Sequence, residues 1–160
     1  MLKKKNRNLY VMELEGNGYS YYVGHTTKTK KNILKDHHRG ERALTRYNKP
    51  LKIIYWENIG LTLEHEAHQY SEEKIIKLME KYGIEEVRGS TRFCHVDLNK
   101  HLLDVIFAIR RMTTPTANKL QVQMKRYPEL YRELFDPLSL YYIGKKFYVL
   151  PSQYREGNYF

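Results

Sequence analysis

Residues Asn8 to Thr26 read NLYVMELEGNGYSYYVGHT. Leu9-Tyr10-Val11 opens one apolar run, Tyr21-Tyr22-Val23-Gly24 closes another, and Gly16-Asn17-Gly18 lies between them. Two β-rich runs joined by residues that tolerate positive φ predict a β-hairpin. Pairing the runs sets Tyr10 and Tyr22 on neighbouring strands, so that both hydroxyls reach one spot. Tyrosine-rich hairpins are also common for packing alone, so the remainder of the chain has to give this pair its meaning.

Working outward, Lys30 to Arg39 reads as a short polar helix anchored by Ile33 and Leu34 and stopped at Gly40. The basic loop GERALTRYNKP leads into Leu51 to Trp56, β-branched and aromatic enough for a third strand, which Asn58-Ile59-Gly60 ends. Of the neighbours Tyr55 and Trp56, one must face the core, and Trp56 is the expected one. Leu61 to Tyr82 carries Ala67, Tyr70, Ile75, Leu78, Met79 and Tyr82 at helical spacing, with Gly83 at the place of a left-handed cap. Ser71-Glu72-Glu73 has the form of a second N-terminus, so this helix either runs through or breaks near Tyr70. Ile84 to Arg92 reads as extended, with Arg88 tying it to the sheet.

Asp97 caps a further helix through Met112, Ala117 to Tyr127 forms another, and Pro128 opens a turn through Phe135. Leu140 to Ile143 and Lys146 to Leu150, split by Gly144-Lys145, predict a late hairpin before a Tyr-rich tail. The expected fold is therefore α+β: residues 1–98 form a domain with a small three-stranded antiparallel sheet flanked by helices. Residues 99–160 form a mainly helical extension ending in that hairpin.

The 160 residues carry a formal charge of +10, which favours an anionic partner, nucleic acid before any other and DNA before RNA. The charge is segregated. Lys28, Lys30, Lys31, Lys35, Arg39, Arg42, Arg46, Lys49 and Lys52 stand against only Asp36 and Glu41, nine against two, or net +7. From Glu57 to Glu86 the sign reverses, eight Glu against three Lys. One cysteine, Cys94, excludes an internal disulfide or a Cys-rich zinc site and predicts a buried, inert thiol in a reducing compartment. No apolar run approaches the roughly 18 residues that span a bilayer, and no secretory leader opens the sequence. An intracellular protein, cytoplasmic, nuclear or virion-borne, is the expectation.

The two runs resemble the signature of the GIY-YIG endonuclease family, with Leu9-Tyr10-Val11 in place of GIY and Tyr22-Val23-Gly24 in place of YIG. Further landmarks follow in order. His37-x-x-Gly40 resembles the family's His and Gly at the end of its first helix, and Thr45 to Pro50 before Ile53-Ile54-Tyr55-Trp56-Glu57 its lead into strand three. Met79 to Gly89 is similar to the M-x-K-Y-G-I-x-N-V-R-G-G segment of a subgroup common in large viral genomes. The likeness covers Leu9 to Leu98. Tyr142-Ile143-Gly144 also spells YIG, but no GIY partner precedes it at hairpin spacing.

The resemblance implies phosphodiester hydrolysis with one divalent metal, Mg²⁺ or Mn²⁺, held by a helical Glu. An Arg on the first helix would offset charge on the phosphate, and Tyr10, Tyr22 and His37 would be the catalytic residues. Here the Arg position falls on Ile33 and the Glu position on Ser71, and neither residue supplies the charge. Lys30, one turn before Ile33, and Glu72 or Glu66 are the candidate replacements, Glu72 being the metal ligand of choice. The expectation is thus a nucleic-acid-binding protein on this framework with cleavage lost or weakened, serving alone or as a subunit of a nucleoprotein or virion assembly. The nine cations from Lys28 to Lys52 would be its binding surface, and residues 99–160 a partner surface. The alternatives are an active Mg²⁺- or Mn²⁺-dependent endonuclease with a relocated ligand, and a structural protein that binds an acidic partner.

Overall fold

A computed structural model of the chain describes residues 2–89, 91–112 and 114–132. The chain divides into two units, Met1–Val96 and Asp97–Phe160.

In the first unit, β1 (Lys5–Leu14) and β2 (Tyr21–Thr26) form the hairpin. They pair antiparallel, with Tyr10 opposite Gly24 and Met12 opposite Tyr22. Gly16 and Gly18 take φ of 84° and 92° in the connection, a region that side chains with a Cβ avoid. Helix α1 (Lys30–His38) starts at Thr29, whose hydroxyl accepts from the Asn32 amide, and stops where Gly40 turns to φ 75°.

The basic loop is not wholly a loop. Ala43–Tyr47 forms a single helical turn, α2, burying Leu44 and Thr45. Strand β3 (Pro50–Thr62) passes straight through Asn58-Ile59-Gly60. There it bulges: Asn8 faces Asn58 but Arg7 faces Gly60, leaving Ile59 extra, and Gly60 has φ 74°. The Gly-containing turn signal marked a bulge inside a strand, a common use of glycine in sheets.

Helix α3 runs unbroken from Glu64 to Tyr82. No second N-terminus forms at Ser71, because its hydroxyl donates back to the Ala67 carbonyl within the helix. Gly83 ends it with φ 114° and ψ 147°, a positive-φ stop outside the left-handed helical region. Strand β4 (Val87–Gly89) then joins the sheet.

The sheet has four strands in the order β3-β1-β2-β4, and β4 runs parallel to β2. The three-stranded antiparallel expectation is corrected on both counts. Parallel neighbours need a long crossover, and α1, α2, β3 and α3 together provide it. Arg88 secures this edge, its guanidinium donating to the carbonyls of Glu85, Val87 and His95 while lying 4.7 Å over the Tyr19 ring.

Side chains alternate across a strand, which gives the sheet two differently covered faces. Tyr10, Met12, Leu14 and Tyr22 share one cluster with Tyr19, Ile33 of α1 and Leu44 of α2. On the opposite face His25 meets His68 and Tyr21 stacks on Tyr82, both partners coming from α3. Trp56, half-buried, stacks on Tyr10 at 6.1 Å, whereas Tyr55 takes the Lys74 ammonium over its ring at 3.6 Å. Cys94 is exposed, contrary to the buried thiol expected.

The second unit contains α4 (Leu98–Ile109), α5 (Thr114–Met124) and α6 (Pro128–Arg132). Asp97 caps α4 by accepting from the Lys100 amide at 2.9 Å. From His101 to Ile109 every residue except Asp104 is buried, as befits a helix apolar all round. The expected late hairpin lies outside the described residues. No described helix is long and apolar enough to cross a membrane.

Candidate nucleic-acid interface

Tyr10, Tyr22 and His37 come together as expected, on the face covered by α1 and α2. The Tyr10 hydroxyl is 2.8 Å from His37 Nε2, and His37 Nδ1 is 2.9 Å from Thr45 Oγ1. The Tyr22 hydroxyl bonds that of Tyr10, and its ring meets His37 edge-on at 4.9 Å. The close approach requires Gly24, since a Cβ there would stand 2.6 Å from the Tyr10 hydroxyl oxygen.

These groups do not open to solvent. Tyr10, Tyr22 and His37 are 2, 1 and 2% exposed. Burial pushes the Tyr10 hydroxyl well above its ordinary value, with Tyr22 adding to the effect. Burial likewise holds His37 down at about 4, helped by the Arg42 cation. His37 is therefore neutral at pH 7, one ring nitrogen donating and the other accepting. The network ties the sheet to α1 through His37 and to α2 through Thr45, and so fixes the layer that carries the basic residues.

This geometry predicts an acid-sensitive fold. His37 titrates near 6.5 in an unfolded chain and at about 4 in the folded one, so below pH 6.5 the unfolded chain takes up a proton that the folded one refuses. Stability is full above pH 6.5 and falls by roughly 3 kcal/mol as pH drops to about 4. His25, also lowered to about 4 by burial and then by His68, acts in the same window. Urea midpoints between pH 7.5 and 4.5 should fall accordingly. His37→Gln should start lower at pH 7.5 and show a shallower pH slope. An unchanged slope in that variant would remove His37 as the origin.

The two charge-bearing positions of the resemblance are not rebuilt here. Ile33, 8% exposed, packs into the same cluster as Tyr10 and Tyr22. Ser71 is buried on α3, across the sheet from the tyrosines. The two carboxylates expected to replace it are engaged locally: Glu66 accepts from the Leu63 amide at 2.7 Å, and Glu72 lies 3.4 Å from Arg92 Nη1. Among the described residues no group of three or more His, Cys, Asp or Glu side chains is placed to hold a metal ion. The side chains present do not fit a divalent ion beside Tyr10 and Tyr22.

All nine basic residues from Lys28 to Lys52 are exposed. Lys28 pairs with Asp36, whose carboxyl it holds below the usual range, and Lys52 lies 3.5 Å from Glu13. Lys30, Lys31, Lys35, Arg39, Arg42, Arg46 and Lys49 form no ion pair with another described residue. Helices α1 and α2 turn Ile33, His37, Leu44 and Thr45 inward, while these seven cations stay exposed along the segment from Lys30 to Lys49. The sequence alone did not distinguish Arg42, whose charge acts on both Tyr10 and His37, or Tyr47, which is 56% exposed within the basic segment.

The fold and this surface define a class: an α+β protein with a four-stranded mixed sheet and a cationic helical layer on one face. The chain matches no protein-family model, and neither a curated protein nor a solved structure matches it. The likeness to the GIY-YIG family rests on the motifs carried by the residues themselves.

Proposed function

We propose that this protein binds nucleic acid through the layer formed by α1, α2 and the loop between them, on a GIY-YIG-like framework that no longer cuts. The observation that carries this reading is the set of seven exposed cations from Lys30 to Lys49 with no described carboxylate partner. Unpaired cations crowded into one short stretch of chain repel each other, and polyphosphate is the partner that relieves the repulsion along its length. The absence of a cation at Ile33 and of a carboxylate at Ser71 supports binding over hydrolysis, since losing one such electrostatic stabiliser costs on the order of 10²–10³ in rate.

Binding that neutralises about six to eight phosphates should weaken with salt at a log–log slope of about −5 to −7. Fluorescence anisotropy with labelled DNA and RNA from about 50 to 200 mM salt measures it. A flat response, or dissociation constants weaker than roughly 10⁻³ M at low salt, would leave the surface to an acidic protein. Plasmid incubated with Mn²⁺ should stay supercoiled. Nicking abolished by Glu72→Ala would instead establish an endonuclease with a relocated ligand.

A further inference from the structure

We propose that the basic face takes a single-stranded nucleic acid, with one base stacked on Tyr47 and the adjoining phosphates held by Arg46 and Lys49. The proposal rests on the nucleic-acid reading above and adds to it the strandedness of the ligand and an aromatic contact.

Tyr47 is the one Phe, Trp or Tyr between Lys28 and Lys52. It closes α2 at 56% exposure, while Leu44 and Thr45 of the same turn are 4 and 1% exposed. The other aromatics that could stack a base near this face are engaged. Tyr10, Tyr19 and Tyr22 are buried and Trp56 lies against Tyr10, while Tyr55 is capped by Lys74 of α3 on the other face.

The backbone on both sides of Tyr47 is held firmly. Thr45 bonds His37 before it, and after it Asn48 donates to the Tyr19 carbonyl and accepts from the Asn17 amide at 3.2 Å. The Glu15 amide then donates to the Lys49 carbonyl at 2.9 Å. A ring on so fixed a backbone loses little freedom when a base covers it. Arg46 is placed by Gly40, over which its aliphatic stem lies with Cγ 3.3 Å from the position a Cβ would take.

An exposed aromatic ring flanked by cations suits single strands, whose bases offer free π-faces beside a charged backbone. A duplex offers phosphates to the same cations but keeps its base faces stacked inside. The five-residue α2 is also too short to lie along a groove. Tyr47 should therefore contribute to single-strand affinity and not to duplex affinity.

The test compares labelled oligo-dT and oligo-U of about 12 nucleotides with a blunt duplex of similar length, at about 50 mM salt. Tyr47→Ala should lower single-strand affinity by about 10-fold, inside the roughly 5- to 150-fold that one stacked base carries. Duplex affinity and the salt slope should stay within about twofold. Tyr47→Phe keeps the ring and should bind single strands like the parent, while both variants melt at the parent temperature. Equal loss on single strands and duplex, or no loss on either, overturns the stacking contact and leaves the nucleic-acid reading standing. No binding of any of the three probes by the parent protein overturns both.

Discussion

Gly24→Ala should destabilise the protein by about 2–6 kcal/mol, the largest effect expected of any single methyl added to the sheet's hairpin. Tyr10 and Gly24 are directly opposed on β1 and β2, and the new Cβ would come within 2.6 Å of the Tyr10 hydroxyl oxygen and 2.8 Å of its Cζ. The ring has little room to retreat. It is 2% exposed, its hydroxyl is bonded to His37 and Tyr22, and its face rests on Trp56. Overpacking of a filled site costs about 1–3 kcal/mol, and pulling Tyr10 off His37 strands buried polar groups at about 1–3 kcal/mol more. Against a typical total of about 5–15 kcal/mol that is a large share. Denaturant titration of Gly24→Ala, Tyr10→Ala and the double variant measures the coupling. The alanine at 24 should cost much less once the ring is gone, and an equal cost in both backgrounds would contradict the account.

The hairpin that carries this pair was legible in the sequence. Two β-rich runs and two turn glycines between them are local signals, and they specify β1 and β2 together; the register that sets Gly24 opposite Tyr10 came from the structure. Gly40 marked the end of α1 in the same way, and Asp97 announced α4. What failed was non-local or too short. Three residues, Val87 to Gly89, carry no sign of which strand they will join, and the parallel pairing to β2 depends on a crossover of 60 residues between Thr26 and Val87. Helix α2 has a single turn and one large apolar residue that is buried, Leu44, so no period was present to detect. At Gly60 the ambiguity lay in glycine itself, which ends strands and bulges them with equal ease.

For the candidate site, composition along the chain indicated the basic segment, and motif spacing indicated that Tyr10, Tyr22 and His37 meet. Neither indicated depth. Whether three polar side chains line an open cleft or a sealed contact depends on what α1 and α2 lay over them, here Ile33, Leu44 and Thr45. Sealed, they act on the surface indirectly, by holding in place the backbone from which the cations project. Nor could spacing reveal that Ser71 and the tyrosines are separated by the sheet. That separation follows from α3 crossing the face of His25 and Tyr21, a tertiary fact with no local signature.

Reversing three cations, Arg42→Glu, Arg46→Glu and Lys49→Glu together, should lower nucleic-acid affinity on the order of 10³-fold at about 50 mM salt and flatten the log–log salt slope by about three. Each lost phosphate contact removes about 0.9 from that slope, and Arg46 lies over Gly40 just after the end of α1. Stability should change little, because all three side chains are exposed and none is ion-paired to a described residue. The acid response of the fold should shift in a defined direction. Arg42 now pushes His37 down, so a carboxylate in its place lets His37 accept a proton at higher pH, and the loss of stability between pH 6.5 and 4 becomes smaller. Lys77→Glu, exposed on α3 across the sheet, serves as the control and should alter affinity by less than about threefold. If the triple variant binds as tightly as the parent, or Lys77→Glu loses as much, the binding surface is not the α1–α2 layer. A steeper acid response in the triple variant would in turn contradict the position given to Arg42 beside His37.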